Sequence, residues 1–164
     1  VAPRRIVDVL AQGSGSLLHA QTFSHHPVLC AAGLATLRYL REHRLVERSA
    51  RMGKILHQRL EALRTLPLVG DVRGRGLLAG IEFVADPVTR EPLPRSAAMA
   101  EAFTGAALDA GLVVWPNVGH ADGTNGDLAM LAPPFIVTEE QIEEIVSLFT
   151  QALRAAADRI GAAR

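Results

Sequence analysis

Residues 19–27 read His-Ala-Gln-Thr-Phe-Ser-His-His-Pro, between a Gly13-Ser14-Gly15-Ser16 run and an apolar helical pattern that opens at Val28. Two hydroxyls, Thr22 and Ser24, thus stand with free backbone amides just ahead of a helix N-terminus. Such an end offers unpaired N–H groups and the positive pole of the helix dipole, which is the chemistry of an anion site. The same hydroxyls can instead satisfy the loop's own backbone groups. From these residues alone the second reading is favoured. His19, His25 and His26 raise the question of a metal. Adjacent histidines diverge in most backbones and no fourth ligand has suitable spacing, so no metal is expected and the histidines are read as loop hydrogen-bonders.

Four other features carry reactive or charged groups. Lys54 is the single lysine. Lysines that form Schiff bases sit in desolvated pockets beside other catalytic groups. Lys54 instead follows Gly53 in an amphipathic helical pattern with Arg51 nearby, so a solvated surface lysine is expected. Arg73-Gly74-Arg75-Gly76 is a weak phosphate or RNA signal in a neutral chain, and is read as turning the chain into the strand that follows. Glu139-Glu140 opens a helix, where the dipole accounts for both carboxylates. Cys30 is expected to be a small core residue on a helix. No residue of the chain is assigned a catalytic role.

The elements that must position these groups follow from periodicity. Residues 3–11 read as a short helix with Ile6, Val7 and Leu10 on one face. Residues 17–26 are a loop, and Pro27 suits the first turn of a helix running to about His43. A second helix covers about 46–65, with Val46, Met52, Ile55, Leu56, Leu60 and Leu63 as its stripe and Arg59 and Glu61 solvated. Residues 68–76 mix glycines with β-formers. Leu77 to Val84 reads as a buried strand, and Asp86 to Pro94 as a turn-rich connection. Ser96 is placed as the cap of a helix over 97–110 that ends at Gly111. Residues 112–115 and 128–132 read as short strands flanking a glycine-rich loop over 117–127. Thr138 and Gln141 fit a capping box for a helix that buries Ile142, Ile145, Val146, Phe149 and Leu153. The last residues before Arg164 are expected to fray.

Composition bounds the function class. Lys plus Arg and Asp plus Glu balance at 17 each, so there is no bulk attraction to nucleic acid or anionic membrane. Aromatics at 4% leave little for base stacking. One cysteine excludes an internal disulfide framework and fits a reducing compartment. No apolar run reaches the ~20 residues of a membrane span, and the N-terminal residues do not form a signal peptide. A cytoplasmic location is expected. The length suits one domain, or one domain plus a piece of another.

Residues 19–35 resemble the loop-to-helix segment HGxTxSxHPxxxAAxxAxL of the class III aminotransferases, which are pyridoxal-phosphate enzymes. Val72 to Phe83 is similar to that family's VRGxGLxxGxEL segment, and Asp127 to Ile142 to its xxxLxPPLxITEExI ending. The three stand in the family's order and spacing, and the resemblance extends from Arg4 to about Leu153. It implies an α/β chain forming the C-terminal part of a fold-type-I transferase. Residues 1–45 would be the end of the large cofactor domain, carrying the phosphate-contact loop and the following helix, and residues 46–164 a small C-terminal α+β domain. In a homodimer, Thr22 with the backbone of Gln21 would reach the phosphate of pyridoxal 5'-phosphate bound in the other subunit. The lysine that carries the cofactor and the aspartate that pairs with its pyridine nitrogen would lie upstream of Val1, so the chain by itself is expected to be inactive.

Two departures bear on substrate and site. Some members have an arginine just before the Pro-Pro, where it grips a substrate carboxylate; this chain has Ala129-Met130-Leu131-Ala132 there. A guanidinium fork is the usual carboxylate clamp, so its absence points to ω-amino acids or amines as donors and a keto acid such as pyruvate as acceptor. His25 replaces the glycine common in the motif, a change expected to alter the site entrance. Two other readings stay open. An aminomutase or decarboxylase on the same scaffold would share these motifs. A truncated gene product or stand-alone α/β interaction module would fit the missing catalytic lysine and the first residue, Val1.

Overall fold

The computed structural model describes residues 2–17, 19 and 21–162. The chain separates into two compact units that meet at Glu42 and His43. The first unit carries helices α1 (Arg4–Gln12) and α2 (Pro27–Glu42). Pro27 is the first residue of α2, where its missing N–H leaves no bond unmade. Neither helix contains a buried residue.

The second unit opens with α3 (Leu45–Leu60) and a 3-10 turn (Glu61–Thr65). A hairpin of β1 (Val69–Arg75) and β2 (Leu78–Asp86) follows, then a two-residue strand β3 (Glu91–Pro92) and α4 (Met99–Asp109). Strands β4 (Trp115–Val118) and β5 (Asp127–Leu131) and the long α5 (Glu139–Ala162) complete it. The sheet runs β1-β2-β5-β4, with β3 paired to β2 and each of these pairings antiparallel.

Alternation along the strands gives the sheet two unlike faces. Val72, Ala79, Ile81, Phe83, Ala129 and Leu131 are buried and form part of one core with α3, α4 and α5. Leu56 and Leu60 enter that core from α3, Met99 and Phe103 from α4, and Ile142, Phe149 and Leu153 from α5. Phe103 sits 5.0 Å from Phe83 and 4.5 Å from Phe149 between ring centroids, a contact set that holds β2, α4 and α5 together. The opposite face is open. One cross-strand row on it reads Arg73–Gly80–Met130–Trp115, and the next begins Arg75–Leu78.

Several expectations hold. Thr138 Oγ1 accepts from the Gln141 amide at 3.2 Å while Gln141 Oε1 accepts from the Thr138 amide at 3.0 Å, the reciprocal capping box read from sequence. Lys54, Arg59 and Glu61 are exposed, and Arg59 pairs with Glu143.

Others are corrected. Cys30 is exposed rather than in a core, and no residue of α2 is buried. Val46 is 70% exposed and Leu45 is buried in its place, a one-residue rotation of the start of α3. Residues 69–75 are a full strand, since ladder pairing with β2 outweighs their glycines. Leu77 to Val84 is not buried throughout: Leu78 is half-exposed, as expected of a strand with one open face. The strand placed at 112–115 lies at Trp115–Val118, set by its register with β5. Ser96 does not cap α4. Asp127, distant in sequence and fully buried, accepts the Ala100 amide at 2.8 Å in the first turn of that helix. The fraying expected at the end falls partly on residues 163–164, which lie outside the described residues; α5 itself extends to Ala162.

Candidate functional site

The first unit presents the anion-site candidate. Residues 22–25 form a turn that leads directly into α2. The Ser24 amide donates to the Gln21 carbonyl at 2.9 Å and the His26 amide to the Phe23 carbonyl at 3.2 Å. The Cys30 amide donates back to the His26 carbonyl at 3.0 Å, which closes the first turn of the helix. His25 sits at φ 62°, the left-handed region that favours glycine and in which His is tolerated better than most residues. That is a physical reason for glycine at this point of a motif. The ring of Phe23 packs edge-on against His26 with centroids 6.3 Å apart.

The donors of this turn are not all spent on described residues. The Thr22 hydroxyl and the amides of Thr22 and Phe23 make no hydrogen bond to a described residue, and Gln21, Thr22 and Phe23 are exposed. An exposed hydroxyl and two open N–H groups beside a helix N-terminus suit a phosphate. Ala20 and Leu18 of the same loop lie outside the described residues. His19, His25 and His26 form no metal-binding group among the described residues.

The second unit presents charge on the open face of its sheet. Arg64 lies 2.8 Å and Arg73 3.1 Å from the two oxygens of Asp71. Arg73 also meets Glu82, whose other oxygen lies 3.1 Å from His120 Nε2. Burial pushes the Asp71 carboxyl up, but hydrogen bonds from Arg64 and Arg73 outweigh it and hold it below its ordinary range. Glu82 behaves alike: burial raises it, and Arg73 and then His120 bring it below. These groups are consumed by one another and form a strap across β1, β2 and the loop after β4. Arg73 of the RGRG run therefore carries structural pairing. Arg75 of the same run makes no ion pair with a described residue and lines a groove beside Pro133. Arg73 and Arg75 share one face of the strand, and only the pairing register, which sets Asp71 opposite Glu82 next to Arg73, tells which of the two has acids beside it.

Lys54 is an exposed residue of α3, not a buried nucleophile. Glu140 at the start of α5 is held below its ordinary range by its own backbone amide and then by Thr138, a helix-end effect. The stretch 129–132 contains no cation, and Met130 is half-buried on the open face.

Known proteins share this arrangement. The family model for class-III aminotransferases matches residues 1–153. The uncharacterized aminotransferase YodT of Bacillus subtilis is 37% identical over 92% of this chain and 34% of its own length. A probable gamma-aminobutyrate transaminase 3, mitochondrial, of Oryza sativa subsp. indica is 32% identical over 94% of this chain and 29% of its own. Among solved structures, a transaminase from the marine bacterium Virgibacillus superposes with a TM-score of 0.80 at 32% identity, covering 95% of this chain and 35% of that one. The omega transaminase of Pseudomonas jessenii in complex with PMP gives 0.76 at 33% identity, over 94% and 32%. The chain spans about a third of the length of these relatives and has the fold of the matching part. The turn into α2, the β1–β2 hairpin and the Pro-Pro corner before α5 all fall inside the matched span, and the chain belongs to the class-III aminotransferases.

Proposed function

We propose that this chain is the C-terminal portion of a pyridoxal 5'-phosphate-dependent transaminase that moves an amino group from an ω-amino acid or amine to a keto acid such as pyruvate. The observation that carries the proposal is the turn at Gln21–His26, with a hydroxyl and amides at the head of α2 that no described residue engages. Thr22 and the backbone beside Gln21 would hold the cofactor phosphate of the other subunit in a homodimer. Residues 1–45 would be the end of the large cofactor domain, and residues 46–164 the small C-terminal domain. The exposed Val28, Leu29 and Leu34 of α2 fit a helix that the remainder of a large domain covers.

When bound, the cofactor supplies the electron sink and carries the amino group. The residues of this chain hold and orient it. Lys54 is too exposed to serve as its attachment point, so the 164-residue chain by itself would not catalyse transfer. The missing cation at 129–132 supports a donor without an α-carboxylate to be gripped there.

The test uses the complete polypeptide that contains these residues. Amino transfer to pyruvate from a panel of amines and ω-amino acids is expected, and no transfer from any of them removes the activity claim. Thr22→Val is expected to weaken cofactor affinity about 10-fold or more, the cost of one hydrogen bond to a charged group. An unaltered affinity would take Thr22 out of the site.

A further inference from the structure

We propose that Arg75 and the groove beside it bind the carboxylate of a small acid with a short apolar chain. This deepens the transaminase reading, on which it rests for the role of the ligand, by naming where the keto acid acceptor is held. The groove, of about 560 Å³, runs between the β1–β2 hairpin and the corner that follows β5. That size lies in the range of small-molecule sites. Leu78, Ala132, Pro133 and Phe135 give it apolar walls, while Ser49 and Arg75 are its polar side chains.

Charge singles out Arg75 within its strand and its approach. Arg64 is paired with Glu61 and Asp71, and Arg73 with Asp71 and Glu82. Arg75 has no ion pair with a described residue, and no carboxylate lines the groove. A guanidinium facing apolar walls without an acid is matched by a planar carboxylate, which it can meet with two parallel hydrogen bonds.

The walls are fixed before any ligand arrives. Arg48 donates from Nε to the Phe135 carbonyl at 2.7 Å and from Nη2 to those of Ile136 and Val137 at 3.3 and 2.7 Å. One side chain thus pins the whole corner after Pro133-Pro134. On the other side Gly76 takes φ 57°, and a Cβ there would lie 2.8 Å from Ser49 Oγ. Ser49 is therefore seated against the hairpin turn.

Register places the guanidinium usefully. Arg73 pairs with Gly80 and Gly80 with Met130, while Arg75 pairs with Leu78. Residues two apart on a strand share a face. Arg75 therefore lies on the same open face as Met130, one row along. Arg75 thus stands beside residues 129–132, which contain no cation of their own, and is placed to meet the carboxylate of the acceptor.

The first experiment titrates the full 164-residue chain with butyrate, followed by NMR shifts of the Arg75, Leu78 and Phe135 signals. Saturable millimolar binding is expected, weakened about 10-fold or more in Arg75→Gln and partly restored in Arg75→Lys, with butylamine failing to compete. Because Arg75 is exposed, these variants keep the fold, and circular dichroism verifies it. Binding that is absent, or equal in Arg75→Gln, overturns the site. The second experiment measures the complete polypeptide. Arg75→Gln is expected to raise KM for pyruvate about 10-fold and that for the amine donor much less; an unmoved KM for pyruvate removes the acceptor role. Arg75-dependent butyrate binding in a protein that transfers no amino group would leave the site standing and sink the transaminase reading. Transfer without Arg75-dependent binding would do the reverse.

Discussion

Helices α2 and α5 are both regular, yet they stand on opposite physical footings. α2 runs 16 residues and has none buried, with Val28, Leu29, Leu34 and Leu37 all about half-exposed or more. α5 runs 24 residues, and Ile142, Phe149, Leu153 and Ala156 are sealed in the core. Isolated helices of roughly 12–15 residues are marginal in water, so a helix persists mainly by burying a face. The second unit meets that requirement within itself. The first carries an apolar helix face that its own described residues do not cover. Packing governs one region and local chain preference the other, and substitutions should sort accordingly.

The widest separation is expected from core truncation. Phe149→Ala removes the ring that touches Phe103 and opens a cavity, for a loss of about 3–5 kcal/mol. Leu34→Ala on α2 should stay within about 0.5 kcal/mol, because an exposed site leaves no cavity. Urea unfolding followed by Trp115 fluorescence checks both, and a comparable loss from Leu34→Ala would show α2 buried against something in solution.

Glycines give the next contrast. A Cβ on Gly53 would lie 2.3 Å from the Gly76 carbonyl oxygen, a backbone atom that cannot swing aside. Gly53→Ala should therefore push α3 from the hairpin and cost about 1–3 kcal/mol. Gly33 in α2 has nothing within 4 Å of that position. Gly33→Ala should raise helicity and stabilise by about 0.5–1 kcal/mol. Circular dichroism melts of the two variants should move in opposite directions.

A cap comes third. Thr138→Ala removes one half of the reciprocal bond at the head of α5 and should cost about 1 kcal/mol in the same unfolding assay. A Thr138→Ser variant, which keeps the hydroxyl, should recover most of it.

The smallest effect is electrostatic. Asp71 and Glu82 are both held below the ordinary carboxylate range. Their contribution is present above the unfolded values of about 3.9 and 4.3 and is lost as pH falls through the lower folded values. The acid limb of the stability curve of the second unit should therefore flatten in Asp71→Asn/Glu82→Gln. The difference should be roughly 1 kcal/mol or less, since the strap is partly exposed. An unchanged limb below pH 4 would remove the strap from the account.

Much of this molecule is legible in its sequence. Period-3.6 patterning placed α1, α2, α3 and α5 within a few residues, and the Thr138/Gln141 spacing named a cap that forms as read. Pro27 marked the start of α2, and the turn at Thr22 lies where the loop was drawn. Those features depend on residues near one another along the chain. The errors have the opposite character. An apolar helix position such as Cys30 says nothing about what lies over it. Ser96 is the adjacent cap candidate for α4, whereas Asp127 reaches the same helix end through β5.

The chain's own order of residues determined its helices, its turns and its family, since each is written in local spacing and in side-chain chemistry. Tertiary structure alone decided which strand face is open, that Arg73 is spent on Asp71 and Glu82 while Arg75 is not, and that Arg48 fastens the Pro-Pro corner. Pairing register sets Glu82 beside Arg73, and helix packing brings Arg48 to a carbonyl 87 positions away. A shift of one residue would turn every side chain of a strand to the other face, which is why no local pattern could have assigned those partners.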